Sequence, residues 1–357
     1  MRIAIDAREL SGKPTGVGRY LAGLLREWTA PGATHGHQIL LYAHARITAL
    51  PGLETRIVPG AGGTRWEQMD LPRQLARDEA SLCFSPAYST PLLTRIPRVV
   101  ALHDISFVAH PEWFGWREGL RRRILARRSA AAARAVVTIS QFSKSEIVSR
   151  MQVAPGKVHV IPPGVDCPVP DDQPRGFDAG MHVLFVGSIF NRRHVPDLIA
   201  AFSTMVAQHP DAHLHLVGDN RSYPFEDVER LVQQSAVSER IRWHRYVSDA
   251  DLTTLYGSAH AFAFLSEYEG LGLTPLEALS AGIPSLLLDT AVAHESCGGA
   301  ALYTHRGDVG SIAAALERLL YDHQTRQALL GAAPTVLARY DWARAASGTL
   351  ALLEEVA

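Results

Sequence analysis

The chain has 357 residues, a length that allows two domains, each with a buried core of its own. With 47% hydrophobic residues, 20% charged residues and a formal net charge of -1, the composition predicts a globular protein and gives no overall electrostatic reason to bind nucleic acid or an anionic membrane. The three cysteines are widely spaced, form no C-x-x-C pair, and indicate neither a disulfide framework nor a zinc site.

The N-terminal half alternates short apolar runs with helical patterns. The first stretch, MRIAIDAREL, predicts a buried strand rather than a signal peptide, and no apolar run approaches the roughly 20 residues that cross a bilayer, so we expect a cytoplasmic protein. A helix with one apolar face is predicted next, at Tyr20, Leu21, Leu24, Leu25 and Trp28. Further buried strands are predicted at 38–42, 81–84, 99–102, 136–139 and 158–161. This alternation indicates a parallel sheet with helices on both faces, whose ligands bind beyond the carboxyl ends of the strands.

Two positions in this half are candidates for ligand binding. Gly16 begins the first helix, but Leu21 stands where a dinucleotide fingerprint has its third glycine, and the loop after the first strand is too long for one. A dinucleotide cofactor is therefore not expected, and a plain helix-start glycine is the alternative for Gly16. His103 follows the strand at 99–102 on the side where ligands bind, and its alternative is a hydrogen-bonded structural histidine.

The segment 113–128 is rich in arginine, interleaved with aromatic and aliphatic residues. At about 100° per residue, its arginines fall between and around the apolar side chains rather than opposite them. This pattern leaves two hypotheses open. One is a solvated helix whose arginine stems cover apolar surface, and the other is a peripheral contact with the inner face of a membrane.

A second alternating series follows a stretch at 167–180 that is rich in proline and aspartate and predicts a linker. Strands are predicted in this half at 182–186, 213–217, 241–247, 261–265, 285–288 and 301–303. A last helix is predicted at 341–357. The predicted fold class is therefore α/β, with two Rossmann-like domains at 1–166 and 181–340.

The stretch 261–295 carries a dense set of candidate site residues. After its strand, a turn contains Glu269, Gly270 and Gly272, and the next helix is predicted to have Thr274 at its N-cap and Glu277 three residues later. A glycine turn beside the positive end of a helix dipole suits a phosphate or pyrophosphate. A capping box would explain Glu277 without a ligand, whereas nothing structural explains a carboxylate at Glu269.

The spacing of these two glutamates within EGLGLTPLEALSAGIP resembles the donor-binding signature of retaining glycosyltransferases of family 4, which have the GT-B fold. The resemblance implies two domains facing each other across a cleft, with the acceptor at 1–166, the donor at 181–340, and a last helix that crosses back to the first domain. It implies that Glu269 contacts the sugar and Glu277 the ribose. Contacts to the diphosphate are implied for the backbone of Gly270, Leu271, Gly272 and Leu273. Leu271 replaces the usual phenylalanine, while Gly16 and His103 match the glycine turn and the histidine of the cleft.

The same resemblance assigns the cations of the site. Gly187 ends a strand, Ser188 follows it, and Arg192, Arg193 and His194 occupy the places of an Arg-Lys-Asn triplet in the family. Fixed cations stabilise the charge that develops on a departing pyrophosphate, and arginine in the place of lysine keeps that charge. Tyr246 and Val247 would bracket the nucleobase. Because Asp249 and Asp251 follow the predicted helix cap Ser248, we interpret them as a helix start and expect no metal and no other cofactor.

The function implied is retaining transfer of a sugar from a GDP- or UDP-linked donor to a hydroxyl of a glycan or lipid-linked acceptor. Similarity of the added stretch TRWEQMDLP, at 64–72, to mannosyltransferase-like members of cell-surface polysaccharide synthesis favours mannose. The residues expected to act in catalysis are His103, Arg192, Arg193 and Glu269. The alternatives are a catalytically silent nucleotide-sugar-binding subunit of a polysaccharide assembly complex, and a GT-B epimerase or phosphorylase.

Overall fold

The computed structural model describes residues 1–12, 16–48, 50–169 and 180–357. The chain divides into two compact units. The first consists of Met1–Gly164 together with Tyr340–Ala357, and the second of Val165–Arg339. Of the linker predicted at 167–180, residues 170–179 lie outside the described residues.

The sheet of the first unit has seven parallel strands in the order β3-β2-β1-β4-β5-β6-β7. The strands are β1 Arg2–Asp6, β2 Gln38–Ala43, β3 Glu54–Ile57, β4 Leu82–Ser85, β5 Arg98–Ala101, β6 Ala135–Thr138 and β7 Val158–Val160. The helices are α1 Gly16–Trp28, α2 Gly63–Arg65, α3 Leu71–Arg77, α4 Ser106–Ala109, α5 Trp116–Ala132 and α6 Gln141–Met151. In the middle of the sheet, Ile5 lies opposite Leu41 and Phe84, and all three are fully buried. Such strands are apolar throughout because they are covered on both faces, which explains why their sequences predicted them.

Two elements of the first unit differ from the prediction. The edge strand β3 was not expected because its sequence, ETRI, is partly exposed and contains no apolar run. The added stretch at 64–72 lies in a continuous helical segment in which a π-helical turn, Trp66–Asp70, joins α2 to α3. Trp66 is fully buried there and donates from Nε1 to Val58 O at 2.8 Å. Turns of this kind occur frequently at functional sites.

Helix α5 carries the arginine-rich segment. Its Trp116, Leu120 and Ile124 side chains are 70%, 45% and 43% exposed, and because they are four residues apart they form one line along the helix. Its buried residues are small ones, Gly119, Ala126, Ser129 and Ala130. The helix therefore packs through small side chains and keeps an apolar line at its surface, a separation that the mixed sequence pattern did not predict.

The sheet of the second unit has six parallel strands in the order β10-β9-β8-β11-β12-β13. The strands are β8 Met181–Val186, β9 Ala212–Val217, β10 Ile241–His244, β11 Ala261–Phe264, β12 Ser285–Leu288 and β13 Ala301–Thr304. The helices are α7 Val195–Val206, α8 Val228–Gln234, α9 Asp249–Ser258, α10 Leu273–Ser280, α11 Ala291–Cys297, α12 Val309–Tyr321 and α13 His323–Leu337. The prediction of two α/β units with parallel sheets is confirmed.

The end of one strand and the start of one helix in the second unit differ from the prediction. Strand β10 ends at His244, so Tyr246 and Val247 lie in the loop after it. Helix α10 begins at Leu273, with Gly272 at its N-cap in the left-handed region, φ 85°, so Thr274 is not the cap. Glycine adopts this backbone conformation at little cost, and the turn therefore closes before the threonine.

The last helix, α14 Trp342–Val356, belongs to the first unit and packs on α1. Trp28 Nε1 donates to Ala346 O at 3.2 Å. The ring of Trp342 fills the space beside Gly23 and Gly164, where any side chain would clash with it. Among the described residues, no helix has the length and apolar character needed to cross a membrane.

Candidate active site

The loop after β8 places a cation at the carboxyl edge of the second sheet. Gly187 follows the last residue of β8 with φ 146°, and a Cβ atom added at this position would lie 2.5 Å from Nη1 of Arg193. That guanidinium donates from Nη1 to Ser188 O at 2.8 Å and lies 4.7 Å from the ring centroid of Phe264 in β11. The glycine therefore leaves the space that Arg193 occupies.

Arg193 forms an ion pair with Glu269 in the loop after β11. Its Nε donates to Glu269 Oε1 at 2.9 Å, its Nη2 lies 2.8 Å from that oxygen, and Ser266 Oγ donates to the same oxygen at 2.9 Å. The side chains of Arg193 and Glu269 are only 12% and 18% exposed. Attraction between opposite charges is stronger in such a partly buried place than at an open surface. The ion pair thus joins the loops that follow two neighbouring strands.

The turn Asn191–Arg193 holds both candidate cations. The Arg192 guanidinium lies 4.2 Å from the ring centroid of Phe190. His194 follows with φ 44°, a conformation that is uncommon for residues other than glycine. It contacts Glu267 Oε2 through Nε2 at 3.2 Å, and Glu267 N donates to Arg192 O at 2.9 Å. The turn is therefore attached at its end to the loop that carries Glu269.

The glycine turn leads from Glu269 into α10. Gly270 and Leu271 are buried, and Gly272 and Leu273 are partly exposed. Because the helix begins at Leu273 and proline lacks an N–H group, Leu273 and Thr274 contribute the first N–H groups before Pro275. Backbone donors at the positive end of a helix can bind an anion such as a phosphate.

Glu277 lies within α10, and a capping box does not explain it. The N-cap is Gly272, which makes no side-chain cap. Instead, Tyr256 OH of α9 donates to Glu277 Oε2 at 3.3 Å. The structural alternative considered for Glu277 is therefore wrong, and a partly exposed carboxylate is presented beside the glycine turn.

The other two candidate site residues, His103 and Gly16, belong to the first unit. His103 is 7% exposed and donates from Nε2 to Pro86 O at 2.8 Å, because a carbonyl oxygen can only accept. Burial lowers the pKa of His103, so its imidazole is neutral at pH 7 and its Nδ1 is an acceptor. Gly16 is the first residue of α1, and a side chain there would meet no atom within 4 Å. Packing therefore does not require glycine at this position.

The remaining predicted positions lie between β10 and α9. The side chain of Tyr246 is 66% exposed, and Val247 is partly buried. Ser248 caps α9, since its Oγ accepts from Asp251 N at 3.1 Å and donates to Asp251 Oδ2 at 2.7 Å. This confirms that the two aspartates lie in the first turn of a helix. Within the described ranges, no group of three or more His, Cys, Asp or Glu side chains is arranged to hold a metal ion.

Two family models match most of the sequence. Residues 14–168 match "Glycosyltransferase Family 4", and residues 175–335 match "Glycosyl transferases group 1". The chain belongs to the glycosyltransferases that these two models describe. Among curated relatives, the O-antigen chain mannosyltransferase B of Escherichia coli is 25% identical over 263 residues, which cover 71% of the chain and 68% of the relative.

Solved structures show that this glycosyltransferase has the GT-B fold. WaaG, a glycosyltransferase involved in lipopolysaccharide biosynthesis, matches 99% of each chain with a TM-score of 0.76 and 17% identity. Anabaena Alr3699/HepE, solved in complex with UDP and glucose, matches 99% of this chain and 100% of its own with a TM-score of 0.78 and 18% identity. Identities this low establish the fold alone.

The glycosyltransferase also contains polar groups that the sequence reasoning missed. At the carboxyl end of β1, Arg8 Nη2 lies 2.8 Å from Asp6 Oδ2 and 2.9 Å from Glu67 Oε1, with Asp6 and Glu67 3% and 1% exposed. Burial raises the pKa of Asp6 to about 6. An aspartate that ends a buried strand was the available signal. Glu67 gave no signal, because the π-helical turn that turns it inward has no recognisable pattern.

Proposed function

We propose that this glycosyltransferase moves a sugar, with retention at the anomeric carbon, from a nucleotide-sugar donor to a hydroxyl group. The observation that carries the proposal is the pairing of Arg193 with Glu269 next to the glycine turn at the start of α10. A cation, a carboxylate and helix N–H donors at the carboxyl edge of a parallel sheet suit the diphosphate and the sugar hydroxyls of such a donor. The UDP and glucose bound in HepE support this class of ligand.

The chemistry requires that negative charge be stabilised as the donor bond breaks. The bond between the anomeric carbon and the diphosphate oxygen breaks, the acceptor oxygen bonds to the same face of that carbon, and the acceptor proton passes to the departing phosphate. Arg192, Arg193 and the N–H groups at the start of α10 stabilise the charge on the diphosphate. Glu269 accepts hydrogen bonds from the sugar hydroxyls. Since Glu269 Oε1 accepts from Arg193 Nε and Ser266 Oγ and lies 2.8 Å from the positive Nη2 of Arg193, it is a weak nucleophile, which favours this front-face route over a covalent intermediate.

The proposed reaction needs no metal ion. Two arginines at 192 and 193 supply the positive charge, and Asp249 and Asp251 serve as the first turn of α9. The donor is linked to GDP or UDP, with its base beside Tyr246 and Val247 and its ribose at Glu277. Similarity to an O-antigen mannosyltransferase favours mannose as the sugar.

The acceptor is a glycan or a lipid-linked glycan. The surface of helix α5 supports the lipid-linked acceptor. Its exposed line of Trp116, Leu120 and Ile124 adjoins Arg117 and Arg121 around an open, mainly apolar hollow of about 410 Å³. Aromatic and aliphatic side chains beside arginines suit the boundary of an anionic bilayer. We therefore propose a cytoplasmic enzyme in peripheral contact with the inner face of a membrane.

The test is a transfer assay in EDTA with a panel of GDP- and UDP-linked sugars and glycan or lipid-linked acceptors. We expect release of the nucleoside diphosphate and a glycoside whose anomeric configuration, read by NMR, equals that of the donor. Glu269→Gln is the matched control, because it keeps the shape of the side chain and removes its charge. Binding of a nucleotide sugar without product would indicate a silent subunit, and conversion of the donor without an acceptor would indicate an epimerase. Cleavage of a glycan by inorganic phosphate, with release of a sugar 1-phosphate, would indicate a phosphorylase.

A further inference from the structure

One side chain, Asn191, joins the turn that carries both candidate cations to the loop at 219–227 between β9 and α8. Its Oδ1 accepts from Tyr223 N at 2.6 Å, and its Nδ2 donates to Pro224 O at 3.0 Å and to Glu226 Oε1 at 2.8 Å. A primary amide offers two donors and an acceptor, so Asn191 satisfies both of its polar atoms on a single loop.

Backbone hydrogen bonds also join the segment after β8 to this loop. Ile189 N donates to Asp219 O, and Arg221 N donates to Ile189 O, both at 2.8 Å. Within the loop, Asn220 Oδ1 accepts from Ser222 Oγ at 2.7 Å. The loop therefore has an internal framework of its own, and Asn191 supplies the side-chain link from this framework to the turn.

The loop presents aromatic surface next to an open pocket. Phe225 and Tyr223 are 74% and 51% exposed. Phe225 lines a pocket of about 340 Å³ together with Trp243 and Arg245, and the Arg245 guanidinium lies 4.9 Å from the Trp243 ring centroid. Flat aromatic rings and a guanidinium group are suited to stacking on a planar base. The pocket lies at the ends of β9 and β10, and the cations lie at the end of the adjacent β8.

The turn depends on its two ends for its position. At one end, His194 contacts Glu267, and at the other, Asn191 contacts the loop. Arg192 and Arg193 lie between these attachments. A displacement of about 1 Å in a charged donor is enough to weaken its action on a phosphate.

We infer that Asn191 is a positioning residue that couples the aromatic loop at 219–227, which lines a pocket with Arg245 beside the proposed base site at Tyr246 and Val247, to the arginine turn, which receives the diphosphate of the donor. This inference rests on the proposed function and adds to it a residue that touches neither part of the donor. Asn191 acts through Arg192 and Arg193.

Calorimetry with GDP, GMP, UDP and UMP tests the inference. For the pair that binds, we expect Asn191→Ala to weaken the diphosphate about five- to tenfold and to lower the ratio of diphosphate to monophosphate affinity, on the scale of one or two lost hydrogen bonds. In an Arg193→Ala background, the same change should have little further effect, because residues that act through one another are not additive. The control is Thr204→Ala, which removes an exposed hydroxyl of α7 outside both the turn and the loop and should leave that ratio unchanged.

Glu226→Ala removes one of the three hydrogen bonds of Asn191 from the loop side and should lower the same ratio by a smaller factor, which guards against a folding defect specific to Asn191→Ala. An unchanged affinity ratio, or full additivity with Arg193→Ala, would overturn the inference while leaving the transfer reaction in place. If the wild-type protein binds neither diphosphate, the proposed function fails, and the inference fails with it.

Discussion

Arg193 Nε donates to Glu269 Oε1 at 2.9 Å, and Arg193 Nη2 lies 2.8 Å from the same oxygen. The two charges therefore neutralise each other in a place where water has limited access. In the proposed reaction, the donor brings its negative diphosphate to Arg193 and its hydroxyl groups to Glu269. Each residue then exchanges part of its present bonding for the ligand, and the pair keeps both side chains oriented until that happens.

Replacing Arg193 by alanine is expected to weaken nucleoside diphosphate binding by about tenfold or more and to slow turnover, because charge-assisted hydrogen bonds to the diphosphate are lost. Arg193→Lys, which keeps the charge but not the planar donors, should lie between the alanine variant and the wild type. Calorimetry and a transfer assay on the same preparations provide the measurement. Equal diphosphate affinity in all three proteins would remove Arg193 from the phosphate site.

His103→Ala is expected to leave nucleoside diphosphate affinity nearly unchanged and to reduce turnover by about two orders of magnitude, the scale usual for one positioned polar group. The reason is that Arg193 and Glu269, which we expect to hold the nucleotide, belong to the second unit and His103 to the first. Calorimetry and turnover are measured on one preparation. Loss of both properties would indicate a structural role for the hydrogen bond to Pro86, and loss of neither would mean that His103 is a buried histidine without a catalytic part.

Activity is expected to be the same in EDTA as in magnesium or manganese, since the proposed reaction relies on Arg192 and Arg193 for the positive charge at the diphosphate. The measurement is the initial rate after dialysis against chelator, with and without added metal. Complete loss that either metal restores would show that the enzyme uses a divalent ion. Asp249→Ala and Asp251→Ala would then show whether the first turn of α9 holds it.

The part of the site that could be predicted from sequence is the part fixed by the backbone. Gly187 and Gly272 adopt conformations that favour glycine, and in this sequence they follow a strand and precede a helix. The partners of side chains could not be predicted in this way. Tyr256, which contacts Glu277, comes from another helix 21 residues away, and Asn191 reaches a loop more than 30 residues further along the chain.

The fold, like the site, could be predicted from the sequence only in part. Buried strands such as β1 and β12 were predictable because burial on both faces requires continuous apolar runs. Strand β3 lies at an edge, where this requirement is relaxed, and its sequence reads as a loop. The first turn of α10 was displaced from the prediction because glycine at 272 closes the turn before the side-chain cap can act.

Acid is expected to destabilise the second unit through a cluster of imidazoles on its sheet. His215 lies at its centre, with Nε2 3.1 Å from His182 Nδ1 and Nδ1 3.4 Å from His244 Nε2. Burial and the neighbouring imidazoles lower the pKa of His215 to about 4, and burial also lowers the pKa values of His213, His244 and His260. The charged groups that act on the cluster are Arg240, Arg242, Arg326, Asp211 and Asp251.

These folded-state pKa values lie below the ordinary value of 6.5, so the unfolded chain binds more protons. The contribution of these histidines to the free energy of unfolding is therefore fully present above about pH 6.5 and is lost as the pH falls toward 4. Hydrogen exchange of peptides from 181–260, followed from pH 7.5 to pH 5, measures this loss. His215→Gln, which cannot titrate, should show a smaller decrease in protection, and an equal decrease in both proteins would contradict the prediction.

Helix α14 gives the first unit two separate pieces of sequence, and this affects how the protein is made. When residues 1–164 have left the ribosome, the surface of α1 that Trp342 and Ala346 cover still lacks its partner. The whole second unit is synthesised in between and contains all the strands of its own sheet. Of the two units, the one that is translated first is thus the last to be completed. Until α14 is made, the apolar face of α1 is exposed to non-native contacts.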